Sequence, residues 1–273
     1  AKITVVLMCA SIMNRYNGRL NNLRTYSFCV FLMVIPPALT MLQPDLGTAL
    51  VYMAIAAVSL VFGGAPLRYM LGTLVLAILG VVCIFCVDEL LKSPTSDGGY
   101  EYKLLKNYQR ERLFVFLDPD NDSSGSGYNL QQAQIAIGSG GFFGKGLFNG
   151  SQINLNYLPE APTDFIFCVV AEETGFFGVF ILLALYTLLF LICIRIARES
   201  MSQFGTIIVM CICGMWFFQI FENIGMCLGL MPITGIPLPF VSFGTSFMLV
   251  NFVMLGLVYS VWKSNSNTIK DKV

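Results

Sequence analysis

The stretch Tyr157-Leu-Pro-Glu-Ala-Pro-Thr-Asp164-Phe-Ile-Phe167 joins a long polar segment to a long apolar one. From Phe165 to Ile194 the chain is almost wholly apolar, apart from two glutamates. Because about 20 mainly apolar residues are enough to cross a bilayer, this segment is predicted to be a membrane-spanning helix. Glu160 and Asp164 then lie at its mouth. Carboxylates at a membrane boundary are costly to keep, so this pair is the first candidate for a functional site.

The composition indicates an integral membrane protein. The 273 residues are 56% hydrophobic and only 12% charged, whereas soluble domains carry about 25% charged residues. The net charge is zero, which favours no nucleic-acid partner. The chain has no histidine, which excludes Ser-His-Asp and Cys-His catalysis and histidine-ligated metals within it. The nine cysteines lie in apolar segments and are interpreted as small buried hydrophobic residues.

Six segments are long and apolar enough to span a membrane, and the predicted fold class is an all-α polytopic helix bundle. The predicted spans are 25–43, 46–64, 67–91, 164–195, 204–230 and 237–262. Residues 1–13 form a seventh, shorter segment, expected to be a truncated or partly buried helix. These spans divide the chain into N-terminal helices at 1–91, a polar loop at 92–163, C-terminal helices at 164–262 and a tail at 263–273.

The basic residues of the short loops all lie on one side if the spans alternate, and that side is predicted to be cytoplasmic. The 92–163 loop then lies outside, together with the carboxylate pair. The cytoplasmic set is Arg15, Arg19, Arg24, Arg68, Arg195, Arg198, Lys263, Lys270 and Lys272.

The 92–163 loop is predicted to have internal order. Residues 100–117 mix apolar and basic side chains at helical spacing, which favours an amphipathic interfacial helix. Residues 128–137 favour a second short helix. Gly138–Gly146 is glycine-rich and could cradle phosphate through its backbone N–H groups, with Lys145 as the charge. The alternating aspartates of 118–122 resemble a calcium loop but lack its glycine and its final glutamate.

Each candidate residue also has a purely structural interpretation. Asp45 and Asp164 each precede a predicted helix and could simply cap it. Glu172 could be a buried hydrogen-bonding residue, and Gln219 and Asn223, which share a helix face, could join helices. The functional alternative unites the outer carboxylates with Arg110, Arg112 and Lys145. Cations beside a carboxylate at the lipid boundary suit a lipid-linked anionic substrate.

Several motifs together resemble the SEDS family (shape, elongation, division and sporulation proteins), with wording closer to its RodA-like elongation branch than to its FtsW-like division branch. The motifs are Gln43-Pro-Asp-Leu-Gly-Thr48, Tyr108-Gln-Arg-x-Arg-Leu113 with Phe116-Leu-Asp-Pro119, Gly127-Tyr-Asn-Leu-x-Gln132, Ile135-Ala-Ile-Gly-Ser-Gly-Gly-Phe-Phe-Gly-Lys-Gly146, Leu158-Pro-Glu-x-x-Thr-Asp-Phe-Ile-Phe167, Glu172-Glu-x-Gly175 and Met231-Pro-Ile-Thr-Gly-Ile-Pro-Leu-Pro-Phe240.

The resemblance implies an inverting glycosyltransferase that polymerises lipid II into glycan strands on the outer face of the bacterial cytoplasmic membrane. It implies about ten transmembrane helices, of which this chain holds about seven, beginning inside the motif that opens the fourth. Its partners would be lipid II, the growing glycan strand, membrane lipids and a class B penicillin-binding transpeptidase. The resemblance gives no certain cofactor, and a divalent cation stays an open alternative.

Residue roles also follow from the resemblance alone. Asp164 would be the catalytic base. The pyrophosphate would be bound by Arg112, Lys145 and Arg110. Supporting roles fall to Glu160, Asp45, Gln131 and Glu172.

This sequence departs from the family pattern at two places. Residues 242–246 read Ser-Phe-Gly-Thr-Ser, where the family usually has Ser-Tyr-Gly-Gly followed by Ser or Thr, and Pro162 stands where histidine is frequent. Two other functions remain open. A flippase for a lipid-linked precursor would place polar groups deep in the membrane, and a non-catalytic scaffold for a transpeptidase would tolerate loss of Asp164.

Overall fold

The structure of the chain, a computed structural model, describes residues 1–43, 45–90, 93–94, 100–101, 126–151 and 162–270. Within these ranges the regular elements are helices, apart from one antiparallel ladder of two residues per strand. The elements are α1 (Lys2–Arg15), α2 (Leu23–Leu42), α3 (Leu46–Phe62), α4 (Leu67–Leu90), β1 (Ser93–Pro94), β2 (Tyr100–Glu101), α5 (Ser126–Ser139), α6 (Ile166–Glu199), α7 (Gln203–Cys227) and α8 (Thr245–Lys270).

The predicted all-α membrane bundle is confirmed. Five described helices, α2, α4, α6, α7 and α8, are long and apolar enough to cross a membrane. The remaining predicted span, α3, is an apolar helix of 17 residues, the lower end of the length that can cross. α1 has 14 residues and buries Val5, Val6, Cys9, Ala10 and Met13, as expected of a partly buried helix.

The last predicted span differs at its start. The expectation placed a helix from residue 237, but α8 begins at Thr245 and residues 231–240 are irregular. Pro232, Pro237 and Pro239 explain the difference, since proline lacks the N–H group that a helix interior requires. The prediction for residues 100–117 lies largely outside the described residues.

α7 is the central helix of the bundle. It packs against α1, α3, α5, α6 and α8, and 16 of its 25 residues are buried. Trp216 at its middle is fully buried and packs edge-to-face on Phe240, with ring centroids 5.1 Å apart. Seven of the nine cysteines are buried, as expected, whereas Cys83 and Cys86 on α4 are exposed. The core therefore forms around α7, while α4 lies at its edge.

Close helix packing depends on small residues at the α3–α7 contact. A Cβ atom on Gly214 of α7 would lie 2.5 Å from Cγ2 of Val58 on α3. Small residues let helix backbones approach closely inside a membrane, where packing drives association.

We predict that Gly214→Leu destabilises the protein by about 1–3 kcal/mol, because overpacking forces the two helices apart. Gly80→Leu on α4 is the matched control, since nothing lies within 4 Å of its added Cβ. Thermal unfolding of both variants in detergent measures the difference. Equal transition midpoints for the two variants would contradict the packing argument.

Candidate functional site

Asp164 lies in the turn that leads into α6, and its backbone is fixed by a buried amide. The side chain is half-buried. Its carbonyl accepts a hydrogen bond of 2.8 Å from Nδ2 of Asn223 on α7, and the same nitrogen donates to the carbonyl of Ile236 at 2.8 Å. Asn223 is fully buried. One amide group therefore joins the turn before α6 to the irregular segment 231–240.

The two residues before Asp164 accept hydrogen bonds from the segment that precedes α8. Oγ of Ser242 donates to the carbonyl of Thr163 at 2.7 Å and accepts a hydrogen bond from the N–H of Leu238. The N–H of Phe243 donates to the carbonyl of Pro162 at 3.0 Å. The carbonyls of residues 162, 163 and 164 thus each receive a donor from α7 or from the 242–243 turn. We call these three contacts the bracket.

Asp45 reaches the same part of the structure from α3. Its Oδ1 accepts a hydrogen bond of 2.9 Å from the N–H of Thr48, so it is the N-cap of α3, as the structural interpretation expected. Next to it, a Cβ on Gly47 would lie 3.0 Å from the carbonyl of Thr234. The start of α3 therefore packs directly on segment 231–240, and both Asp45 and Asp164 border that segment.

Lys2 was not identified from the sequence. Its Nζ lies 4.9 Å from the ring centroid of Phe247, near the start of α8. The carboxylate of Asp45 interacts with it electrostatically. This adds a cation to the same end of the bundle as Asp45. Lys2 lies at the edge of the first apolar segment, a position typical of a cation that anchors a helix end. The sequence around it therefore gave no indication of a functional site.

A second polar group lies inside α7. Gln219, Glu222 and Asn223 are all buried, and the hydroxyl of Thr234 donates to Oε1 of Glu222. Within the part of the chain that the structure describes, neither amide atom of Gln219 has a hydrogen-bond partner. Asn223 and Glu222 thus bind segment 231–240 to α7. Asn223 was expected to join helices, and it instead joins α7 to the turn before α6 and to segment 231–240.

The glycine loop, residues 140–150, inserts into the backbone of α6. At Gly175 the helix has φ 66° and ψ −165°. The N–H groups of Phe176 and Phe177 donate to the carbonyls of Gly141 and Phe142, at 2.9 and 3.1 Å. In a regular helix these two groups would donate to residues 172 and 173.

The carbonyls that the kink releases are satisfied by the same loop. Glu172 and Glu173 accept hydrogen bonds from the N–H groups of Lys145 and Gly146, at 2.9 and 3.0 Å. Glycine is required for this approach, because a Cβ on Gly175 would lie 2.8 Å from the carbonyl of Phe142. A Cβ on Gly140 or Gly144 would overlap the backbone of α6 as well.

The side chain of Glu172 fastens the loop from within. It is completely buried, and its Oε1 accepts hydrogen bonds from Lys145 Nζ at 2.6 Å, from Ser151 N at 2.9 Å and from Ser151 Oγ at 2.8 Å. Lys145 Nζ also donates to Ser151 Oγ at 2.6 Å. The structure thus brings Lys145 and Glu172 together as an ion pair, with 31% of the Lys145 side chain exposed.

The remaining candidates are distributed as follows. Gln131 lies exposed on α5, away from the bracket contacts described above. Arg110, Arg112 and Glu160 lie outside the described residues, so their predicted roles stay predictions. No group of three or more Asp, Glu or Cys residues within the described ranges could hold a metal ion. Asp118, Asp120 and Asp122 lie outside these ranges.

Ser242 was also missed as a site residue. Sequence comparison with the family pattern drew attention to residues 242–246, but to Phe243 and Thr245 rather than to the unchanged serine. The contact of Ser242 with residue 163 joins positions 79 apart in the chain, and no local pattern encodes it.

These elements define a multi-pass membrane protein with a carboxylate-bearing turn at one end of its bundle. Comparison with known proteins agrees. The model of the FtsW/RodA/SpoVE family, described as cell cycle proteins, matches residues 1–267. The chain belongs to this family, the SEDS proteins, and within it is most like the RodA branch.

The relatives and solved structures give the same assignment. The peptidoglycan glycosyltransferase MrdB of Escherichia coli K12 is 37% identical over 96% of this chain and 66% of its own length. The peptidoglycan glycosyltransferase RodA of Treponema pallidum is 32% identical, over 96% and 73%. The chain thus spans about two thirds of the length of MrdB.

Two solved structures share the fold. One, described as structural coordination of polymerization and crosslinking by a peptidoglycan synthase complex, has a TM-score of 0.76 and 31% identity, covering 97% of this chain and 69% of the other. The crystal structure of Thermus thermophilus RodA has a TM-score of 0.61 and 27% identity, covering 97% and 64%.

We predict that Lys145→Met destabilises the protein by about 3 kcal/mol, because it leaves the buried Glu172 carboxylate without its counter-charge. Thermal or denaturant unfolding in detergent measures the loss. Arg195→Met is the matched control, since Arg195 forms an exposed ion pair of 2.8 Å with Glu199 one turn along α6. Exposed pairs of this kind contribute little, so no measurable change is expected there.

The double variant Lys145→Met/Glu172→Gln separates charge from shape. Removing the carboxylate as well removes the uncompensated charge, so part of the lost stability should return. If the double variant is less stable than Lys145→Met, the ion pair is not what fastens the loop.

Proposed function

We propose that this chain forms the polymerising part of a peptidoglycan glycosyltransferase that joins lipid II units into glycan strands during cell elongation. The observation that carries the proposal is the bracket. It holds a half-buried carboxylate at the mouth of a membrane-spanning helix, where the head group of a lipid-linked sugar would lie. The named activity of relatives 32–37% identical over 96% of the chain supports the same assignment.

In the proposed reaction, Asp164 is the general base. It takes a proton from the 4-hydroxyl of the acceptor sugar as that oxygen attacks the anomeric carbon of the donor. The bond to the lipid pyrophosphate breaks with inversion, and undecaprenyl pyrophosphate leaves. General base catalysis of this kind contributes about 10²- to 10⁴-fold. One carboxylate suffices, because pyrophosphate leaves without the strong acid that glycosidases supply.

The pyrophosphate would be bound mainly by Arg110 and Arg112, whose guanidinium groups suit paired phosphate oxygens. Lys145 is a weaker contributor than the sequence suggested. Its charge is already balanced by Glu172, and two of the three ammonium hydrogens go to Glu172 and Ser151. Its exposed part retains one donor for a phosphate oxygen. Asp45, Glu160 and Gln131 are proposed to support the site, and Glu172 to fix the glycine loop.

The site is proposed to face the outside of the bacterial cytoplasmic membrane, because the basic short loops then lie inside. The proposed partner is a class B penicillin-binding transpeptidase. Support for it comes from the structural likeness to a complex described as coordinating polymerization and crosslinking.

A flippase is the second candidate, since Gln219 and Glu222 place buried polar groups inside α7. Glu222 and Asn223 bind segment 231–240 instead of lining a path, and this favours the polymerase. A lipid II translocation assay on proteoliposomes, beside the polymerisation assay, separates the two functions.

We predict that Asp164→Asn lowers lipid II polymerisation by the purified full-length protein at least about 100-fold, because the amide cannot accept the proton. Gel analysis of the glycan product measures it. Glu199→Gln is the matched control, a carboxylate at the opposite end of α6 that pairs with the exposed Arg195. Wild-type product from Asp164→Asn, with wild-type thermal stability, would rule out this base.

The bracket gives a further prediction. Asn223→Ala and Ser242→Ala should each lower kcat about 10- to 100-fold with little change in KM, because a displaced Asp164 misses the acceptor hydroxyl. Ser242→Thr retains the hydroxyl and should recover activity. Asn251→Ala is the matched control for loss of a buried amide, since its Oδ1 accepts from Nε1 of Trp216, a residue outside the bracket. Equal kcat in all four variants would refute positioning by the bracket.

A further inference from the structure

The tip of the glycine loop is strongly apolar and exposed. Phe142, Phe143, Leu147 and Phe148 project from the loop, with Phe143 86% and Phe148 88% exposed. Phe148 also has φ 63°, a conformation uncommon for a bulky residue. We call these four residues the aromatic tip.

The aromatic tip continues a lipid-facing surface. Phe142 packs edge-to-face on Phe176 of α6, with ring centroids 5.8 Å apart. Phe176, Phe177 and Phe180 are themselves exposed on α6, a membrane-spanning helix. The four backbone hydrogen bonds at the kink fix the loop against this helix. The tip thus extends a surface that already faces hydrocarbon.

The length of α6 gives the depth of the tip. Residues 175–194, between Glu173 and Arg195, carry no charge. These residues cover about 30 Å at helical rise, which equals the thickness of the hydrocarbon core. Gly175 then lies at the boundary opposite Arg195. Because the glycine loop joins α6 at residues 172–177, its tip is at the same level.

We infer that the aromatic tip inserts into the lipid leaflet at the boundary between head groups and acyl chains, and that the glycine loop is an interfacial anchor. Aromatic side chains favour this level of the bilayer. Four backbone groups of the loop are paired with α6, which lowers the cost of placing the loop at this depth. The buried Glu172–Lys145 pair lies just above, on the head-group side.

Tryptophan depth measurements test the inference. Phe143→Trp and Phe148→Trp are made in the protein carrying Trp262→Phe, which leaves the fully buried Trp216 as the background among these 273 residues. The variants are placed in nanodiscs of phosphatidylcholine brominated at shallow or deep acyl positions. Phe180→Trp on the lipid-facing side of α6 and Asn21→Trp in the exposed turn after α1 are the references.

Both tip variants should show blue-shifted emission, strong quenching by the shallow brominated lipid and weaker quenching by the deep one. Phe180→Trp should be quenched more by the deep lipid than the tip variants are. Emission like that of Asn21→Trp, with quenching by aqueous iodide and none by either lipid, would overturn the inference. That outcome would leave the tip in water, available to a protein partner.

Discussion

The structure depends on an exchange of backbone hydrogen bonds at Gly175. Two N–H groups of α6 leave their helical acceptors and donate to the glycine loop, and two N–H groups of the loop take their place. Unsatisfied backbone groups are costly in a membrane, so the exchange is what permits α6 to bend there. This bend determines the orientation of the first two turns of α6 and, with it, the position of Asp164 just before them. The buried carboxylate of Glu172 accepts hydrogen bonds from Lys145 and Ser151 and so holds the glycine loop at the bend.

The sequence predicted those features that depend on composition or on one segment. Runs of about 20 apolar residues located the spanning helices to within a few residues. Aspartate before an apolar run gave capping of α3 as one of two interpretations of Asp45, and the structure shows the cap. The start of α8 was placed eight residues early, because hydropathy does not distinguish an apolar irregular segment from a helix. The prolines of residues 231–240 do indicate an irregular segment, because proline is disfavoured inside a helix.

The contacts that assemble the candidate site could not be predicted in this way. Asn223 meets the carbonyl of residue 164 across 59 positions of the chain, and Ser242 meets residue 163 across 79. The pairing of Lys145 with Glu172 could not be predicted from the sequence either. Hydrophobic periodicity assigns a residue to one face of a helix, but it does not identify the residue that packs against it. The sequence suggested a phosphate cation at Lys145. The structure adds a buried acid that balances its charge.

The exchange at Gly175 replaces two helical hydrogen bonds by four bonds to the glycine loop, so the four backbone groups of α6 that take part all stay paired. A straight α6 would recover its two helical bonds and release the loop, whose backbone groups would turn to water. These four backbone groups of α6 would be paired in both the bent and the straight form, so contacts of side chains contribute to the preference for the bend. The Glu172–Lys145 pair and the Phe142–Phe176 contact favour the bent form. A few side chains at the kink therefore set the angle between the membrane-spanning part of α6 and its first turns. That angle determines where the Asp164 carboxylate lies relative to the membrane.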